Sequence, residues 1–172
     1  MHERSGAEAV LITGAFGSGK TSVVEEIADI LEGRGVRYGA LDLDWLIWFD
    51  PGPDGDAVAE HVMLHNVDAV VGNYFETGVR RFALAGAFGS AEEVEALRST
   101  IAMPVTVVRL TVPIEAIERR LATAVTAGRG DDLRVARRWV AESTGEGIED
   151  LLVENDRPIR GVADEILTAL GW

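Results

Sequence analysis

The chain has 172 residues, which suits one α/β domain, and its 29 acidic and 16 basic residues give a formal net charge of −13 that disfavours nucleic-acid and anionic-lipid partners. The lack of cysteine excludes disulfides, thiolate metal sites and cysteine nucleophiles. Because the first residues are charged and no apolar run reaches about eighteen residues, we expect one cytoplasmic domain over residues 1–172, monomeric or homodimeric, with no membrane partner.

Apolar runs of strand length alternate with segments of helical period, which is typical of a parallel sheet covered by helices on both faces. The predicted strands are residues 10–13, 38–44, 81–86, 105–112 and 150–154. The predicted helices are residues 19–32, 56–77, a short helix that Ser90 and Glu93 cap, 113–127, 131–143 and a last helix from Pro158. Within 56–77 the residues Val67, Ala69 and Val71 alternate as in a strand, but the length of the segment favours a helix.

The first predicted strand runs into the sequence GAFGSGKT at residues 14–21, which holds the one lysine of the chain, since the other fifteen basic residues are arginines. The octet matches the pattern G-x-x-x-x-G-K-[ST] between an apolar strand and an amphipathic helix. Its glycines let the backbone curl so that N–H groups point at phosphate oxygens, and the helix adds its positive N-terminal end. A compact ammonium fits inside such a ring of backbone, whereas the wide, planar guanidinium of arginine does not.

This loop predicts a site for ATP and Mg²⁺. Lys20 would reach the β- and γ-phosphates, and the hydroxyl of Thr21 would ligate the Mg²⁺. The residues predicted to contact the nucleotide are Gly14, Phe16, Gly17, Ser18, Gly19, Lys20, Thr21 and Ser22.

Two aspartates stand at the predicted end of the second strand, in the sequence LDLDWL. Residues two apart in a strand face the same side, so both carboxylates would look into the cleft above the loop. Asp42 would hold Mg²⁺ through water, and Asp44 would accept a proton from a hydroxyl of the phosphate acceptor. The alternative is that the aspartates end the strand and cap a turn. Trp45 and Trp48 would form a wall of the acceptor pocket or, alternatively, belong to the core.

The sequences GAFGSGKT and LDLDWL together resemble the small-molecule kinase branch of P-loop proteins, which includes shikimate, gluconate and adenylyl-sulfate kinases and chloramphenicol phosphotransferase. The resemblance spans nearly the whole chain, although only the loop motif is highly specific. It implies a P-loop NTPase three-layer sandwich with a parallel sheet of order 2-3-1-4-5, and it implies the metal and acceptor roles of Asp42 and Asp44. The chain departs from the pattern at the third strand, which ends in Ala85 and Gly86 without the acid of a Walker B strand.

Residues 113–140 hold six arginines against four acids in an otherwise acidic chain. The resemblance implies a small helical lid over about residues 119–138, in which Arg120 and Arg129 would contact the triphosphate. Arg134 is the next candidate for such a contact. Arginines of solvated helices, paired with acids such as Glu118, are the alternative. The resemblance also implies that Arg157, in the loop after the last strand, lies against the adenine ring. A simple loop before a helix is the alternative there.

The sequence therefore predicts an ATP-dependent phosphotransferase that moves the γ-phosphoryl group to a hydroxyl of a small molecule. Two alternatives stay open. The first is a nucleotide-dependent switch or accessory ATPase, which predicts an exposed apolar face and no acceptor pocket. The second is a nucleotide-binding protein without transfer activity, which the missing Walker B acid suggests.

Overall fold

The computed structural model describes residues 4–53, 55–123 and 129–172, with the backbone only at residues 56, 123 and 129–131. Its five strands are β1 (Glu8–Thr13), β2 (Tyr38–Asp42), β3 (Arg81–Ala85), β4 (Val105–Thr111) and β5 (Leu151–Glu154). They form one parallel sheet in the order β2-β3-β1-β4-β5, which confirms the predicted fold and strand order.

The helices cover both faces of the sheet. They are α1 (Lys20–Gly33), α2 (Gly55–Glu76), α3 (Ala91–Ile101), α4 (Ile114–Thr123), α5 (Arg129–Ala141) and α6 (Ile159–Leu170), with a short 3₁₀ helix at Leu43–Ile47. Within the residues that the structure describes, none of these helices combines the length and the apolar character needed to cross a membrane.

The central strand β1 is buried on both faces, which explains its continuous apolar run. Leu11 packs with the core beneath α2 and α3, while Val10 and Ile12 pack with the core beneath α1 and α6. Val67 and Val71, four residues apart, are both fully buried on one face of α2. The segment 56–77, which the sequence pattern left open between strand and helix, is therefore a helix, as its length predicted.

Strand β2 ends at Asp42, and the prediction that it continues to Asp44 is wrong. A side-chain oxygen of Asp42 accepts a hydrogen bond from the backbone N–H of Asp44, at 3.0 Å, and this contact starts the 3₁₀ helix. Asp42 thus caps a turn, as the alternative reading held. The other described boundaries differ from the predicted ones by one or two residues, and the predicted end of the helix over 113–127 lies outside the described residues.

The loop before β5 is held to β4 by an ion pair. Arg109 Nη2 donates to Glu149 Oε1 at 2.8 Å, and the backbone N–H of Gly147 donates to Glu149 Oε2 at 2.8 Å. The hydrogen bond from Arg109 lowers the pKa of Glu149 to about 2. Because this folded-state pKa is below the ordinary value of 4.5, the stabilisation is present above about pH 4.5 and is lost as the pH falls toward 2.

We expect Glu149→Gln to lower the free energy of unfolding by about 1–2 kcal/mol at pH 7, because Arg109 loses its charged partner. The difference in the free energy of unfolding between the variant and the parent chain should shrink by more than half at pH 3. Denaturant unfolding at the two pH values measures it, with Glu146→Gln on the same exposed loop as the control. An equal loss at both pH values would contradict the assignment.

Candidate active site

The carboxyl ends of the strands bring the predicted site residues to one edge of the sheet. Ala85 of β3 stands level with Ile12 of β1 on one side and with Asp42 of β2 on the other. Loop 14–19 follows β1, so Asp42 lies about two strand spacings, roughly 10 Å, from the strand that carries the loop. Ligands of open α/β sheets bind at this edge.

The loop between β1 and α1 is tightly turned. Gly14, Gly17 and Gly19 have φ angles of 140°, 75° and 93°, which favour glycine. A Cβ at Gly14 would stand 2.8 Å from the carbonyl oxygen of Leu110, and a Cβ at Gly19 would stand 2.7 Å from Asn155 Nδ2. The glycines at these two positions are therefore required by close packing as well as by the turn.

Lys20 begins α1 and places its ammonium inside the loop, with 8% of the residue exposed. Nζ donates to the carbonyl oxygens of Gly14, at 3.1 Å, and Ala15, at 3.2 Å, and lies 5.5 Å from the ring centroid of Phe16. Burial lowers the pKa of Lys20, while the nearby charges of Asp44 and Asp42 oppose that shift. A branched guanidinium would have to displace the backbone that surrounds this ammonium.

The first turn of α1 offers backbone donors to an anion. Its N-cap, Gly19, has no side chain that could accept a hydrogen bond, and the first turn holds no acidic residue. The first four N–H groups of an α-helix have no partner within the helix. Here they belong to Gly19, Lys20, Thr21 and Ser22, so the loop and helix fit a phosphate group.

Thr21 and Asp42 meet beside the loop. Thr21 Oγ1 donates to Asp42 Oδ2 at 2.6 Å. Hydroxyl and carboxylate oxygens are the ligands that Mg²⁺ prefers, so the chemistry of this pair fits the ion. The pair lies next to the end of β3, where Ala85 stands level with Asp42. The carboxylate that contacts Thr21 therefore comes from the end of β2 and not from β3.

Asp44 lies on the 3₁₀ helix and lines a cavity of about 390 Å³. The other walls come from α2, through residues such as Met63 and Leu64, and from the loop after β3, through Phe88. Partial burial raises the pKa of Asp44, as does the charge of Asp42, while Lys20 opposes both. The carboxylate thus stands beside a cavity of small-molecule size with its proton affinity raised.

The loop after β3 is fixed to β1 by Thr13, a buried polar residue at the end of an apolar strand. Its hydroxyl donates to the carbonyl oxygen of Phe88 at 3.1 Å and accepts from the N–H of Phe88 at 2.9 Å. At the far side of the loop, the capping box predicted for α3 is confirmed, and Glu93 Oε2 accepts from the N–H groups of Gly89 and Ser90. One wall of the cavity is therefore held at both ends.

Trp45 and Trp48 lie outside the core, with 65% and 77% of their surfaces exposed, which contradicts the core alternative. Their ring centroids are 4.7 Å apart with planes tilted by 34°. Neither residue is among the described residues that line the cavity at Asp44. They form an exposed aromatic pair on the 3₁₀ helix and directly after it.

Arg120 reaches the loop from α4. Nη1 donates to the carbonyl oxygen of Ser18 at 3.1 Å, and Nη2 donates to that of Asn155 at 2.6 Å. Asn155, only 2% exposed, donates its own Nδ2 to the same Ser18 oxygen at 2.7 Å. Arg120 and Asn155 together hold the loop that surrounds Lys20.

The structure describes only part of the rest of the predicted lid. Arg129 begins α5, but its side chain is outside the described part of the chain, as is the centre of the predicted lid, residues 124–128. Arg137 pairs with Glu118 at 2.7 Å and Arg138 pairs with Glu142 at 2.9 Å, so these two arginines fit the alternative of paired surface helices. Arg134 lies on α5 and is exposed.

Arg157 is exposed in the loop after β5, where it pairs with Glu165 of α6. Nearby residues of this loop and of α4 line a second cavity of about 380 Å³, among them Arg119, Arg120 and Asp156. The cavity adjoins the loop at Ser18 through Arg120. Arg157 itself is not among the described lining residues.

The sequence analysis assigned no part in the site to four residues that shape this edge, namely Thr13, Glu60, Glu93 and Asn155. Thr13 and Asn155 follow the general signal of a polar residue at the carboxyl end of a buried strand. Glu60 and Glu93 both line the cavity beside Asp44. Their part in it depends on how α2 and α3 pack together, which no local pattern shows.

No protein-family model and no curated protein sequence matches the chain. Solved structures do match it, including an unliganded sugar kinase from Janibacter sp., with a TM-score of 0.67 and 18% identity over 96% of this chain and 95% of that one. The APS kinase of Mycobacterium tuberculosis, in complex with AMPPNP and APS, matches with a TM-score of 0.66 and 23% identity over 96% and 98%. The shikimate kinase of Acinetobacter baumannii, in complex with shikimate, matches with a TM-score of 0.63 and 17% identity over 95% and 93%. The chain has the fold of the P-loop small-molecule kinases.

Proposed function

We propose that this chain is an ATP-dependent phosphotransferase that moves the γ-phosphoryl group to a hydroxyl of a small molecule. The observation that carries the proposal is one juxtaposition at the carboxyl edge of the sheet. The buried ammonium of Lys20, the pair of Thr21 and Asp42, and the carboxylate of Asp44 meet there beside a cavity of about 390 Å³. The neighbour that holds AMPPNP and APS supports a nucleotide and a small acceptor for this fold.

In the proposed reaction the acceptor oxygen bonds to the γ-phosphorus while the bond from that phosphorus to the β,γ-bridging oxygen breaks. ADP leaves with the bridging electrons, and the hydroxyl proton passes to Asp44. Lys20 and the N–H groups of the loop stabilise the charge on the transferring group. Thr21 and Asp42 would hold Mg²⁺, which would supply further charge neutralisation when bound.

Three arginines complete the nucleotide site in this proposal. Arg120 contacts the loop through the carbonyl oxygen of Ser18 and would lie close to the phosphates, and Arg129 would join it from the lid. The adenine ring would occupy the cavity beside Asp156, with Arg157 against one face. These roles follow from the position of the second cavity next to the loop and from the resemblance.

We expect Asp42→Asn to lower turnover about 10–100-fold and to raise the Mg²⁺ concentration needed for half-maximal rate, because a neutral amide is a poorer partner for the ion. Steady-state rates over a Mg²⁺ series measure both effects. Asp29→Asn, an exposed aspartate of α1, removes the same charge away from the site and should leave the Mg²⁺ series unchanged. An Asp42→Asn variant with the parent Mg²⁺ requirement would remove Asp42 from the metal site.

Nucleotide binding tests the first half of the proposal. Mg·ATP and Mg·GTP are titrated into the protein while tryptophan fluorescence and thermal unfolding are followed. We expect saturable stabilisation by Mg·ATP that is lost in Lys20→Ala. No response of either signal to either nucleotide would contradict the proposal before any acceptor is sought.

A second candidate function is a nucleotide-dependent switch whose output is a protein contact. The exposed aromatic pair of Trp45 and Trp48, with Phe49 beside it at 41% exposure, favours this candidate. The cavity beside Asp44 favours transfer instead, because a switch has no need of an acceptor pocket. The fate of the γ-phosphoryl group separates the two.

A further inference from the structure

The cavity beside Asp44 is lined by carboxylates and apolar groups. Asp44, Glu60 and Glu93 contribute the acids, and none of its described lining residues is basic. The remaining walls are mainly aliphatic and aromatic, with Leu43 and Phe88 as examples. A ligand in this cavity would therefore meet negative charge on its polar sides and apolar surface elsewhere.

The three carboxylates differ in how far their charge is already satisfied. Glu93 accepts two backbone hydrogen bonds from Gly89 and Ser90. Asp44 faces the loop, where it stands near the charge of Lys20. Glu60 forms no hydrogen bond or ion pair with any residue that the structure describes. Glu60 is thus the acid whose charge is available to a ligand.

These charges disfavour an anionic acceptor and favour a cationic one. A carboxylate or phosphate placed among three acids is repelled by each of them, and the repulsion grows as the ligand displaces water. A neutral ligand that covers Glu60 removes water from its carboxylate and supplies no charge in place of that water. An ammonium group supplies both a counter-charge and hydrogen-bond donors.

We propose that the acceptor is a small hydroxyl compound that bears an amine and no acid group, with its hydroxyl at Asp44 and its ammonium facing Glu60. This inference rests on the proposed function, since it names the substrate class of the same site. Leu43, Phe88 and the other apolar residues of the wall pack the carbon skeleton between the two polar ends. The cavity volume of about 390 Å³ suits a molecule of the size of an amino sugar or an aminocyclitol.

The test is an acceptor screen with Mg·ATP on the full chain, using hydroxyl compounds in matched triplets of amine, neutral compound and acid. Glucosamine, glucose and gluconate form one triplet, and 3-amino-1,2-propanediol, glycerol and glycerate form another. Formation of the phosphate ester is measured for each compound. We expect kcat/KM to be highest for the amine and lowest for the acid of each triplet that reacts.

Glu60→Gln tests whether the preference for an amine acceptor comes from the carboxylate of Glu60. It should lower kcat/KM for the amine roughly fivefold through a higher KM. The kcat/KM for the neutral compound should stay within about twofold of the parent value. Glu76→Gln removes an equal charge from the same helix, roughly 24 Å along its axis, and should change neither value.

The outcomes separate this inference from the proposed function. An acid as the best acceptor, or an amine-to-neutral ratio that Glu60→Gln leaves unchanged, would overturn the inference while phosphate transfer stands. A screen in which no compound yields a phosphate ester, although Mg·ATP binds, would overturn the proposed function together with the inference.

Discussion

Replacing Lys20 with alanine is expected to lower Mg·ATP turnover by about a thousandfold or more, because the buried ammonium is the one positive side chain that lies within the loop among the described residues. Its two partners are backbone carbonyl oxygens, so its charge is available to phosphate without first breaking an ion pair. The rate of ADP formation and the dissociation constant of Mg·ATP measure the effect.

Lys20→Arg is the sharper companion variant, because it keeps the charge and changes the shape of the head group. It should lose nearly as much activity as the alanine variant, since the ammonium is enclosed by Gly14, Ala15 and the ring of Phe16. Arg37→Ala, at an exposed site before β2, serves as the control for loss of a positive charge. Parent-level turnover in Lys20→Ala would refute the assignment of the loop.

Replacing Asp44 with asparagine is expected to lower phosphate transfer by about 10²–10⁴-fold while the affinity for Mg·ATP stays within about twofold. Asparagine keeps the size of the side chain but cannot take the hydroxyl proton. Because partial burial and Asp42 raise the pKa of Asp44, parent turnover should fall on the acid side at a pH above the ordinary pKa of aspartate. Single-turnover transfer measured over a pH series tests both expectations.

Two results would contradict this role for Asp44. Transfer at near the parent rate in Asp44→Asn would exclude Asp44 as the proton acceptor. A parallel loss of Mg·ATP affinity would indicate instead that Asp44 acts on the nucleotide or the metal. Glu25→Gln, an exposed site on α1, controls for the change in net charge.

Much of this fold could be predicted from the sequence because its signals are local. The apolar run of β1, the glycines of the loop and the length of α2 each constrain the chain within one element, and the strand order followed from the resemblance. The wrong strand end at Asp44 shows the limit of such signals. Strand alternation and a capped turn both explain a pair of aspartates, and the hydrogen bond from Asp44 N to Asp42 decides between them.

The rest of the site depends on contacts between distant residues. Asn155 donates to Ser18 from 137 positions along the chain, and Arg120 does so from 102 positions. Glu60 and Asp44 face one cavity only because α2 packs beside the 3₁₀ helix. The sequence placed the chemistry at the loop, whereas the walls that select an acceptor became visible in the packed structure.

The central claim is that the γ-phosphoryl group of ATP is transferred to a small molecule and not to water. The most direct measurement follows γ-labelled ATP in the presence of Mg²⁺ and the hydroxyl compounds of the screen, and it resolves the label into organic phosphate ester and inorganic phosphate. The account predicts label in a phosphate ester, lost in Lys20→Ala and in Asp44→Asn. Label released only as inorganic phosphate, at a rate that no acceptor changes, would contradict the account and identify the chain as an ATPase.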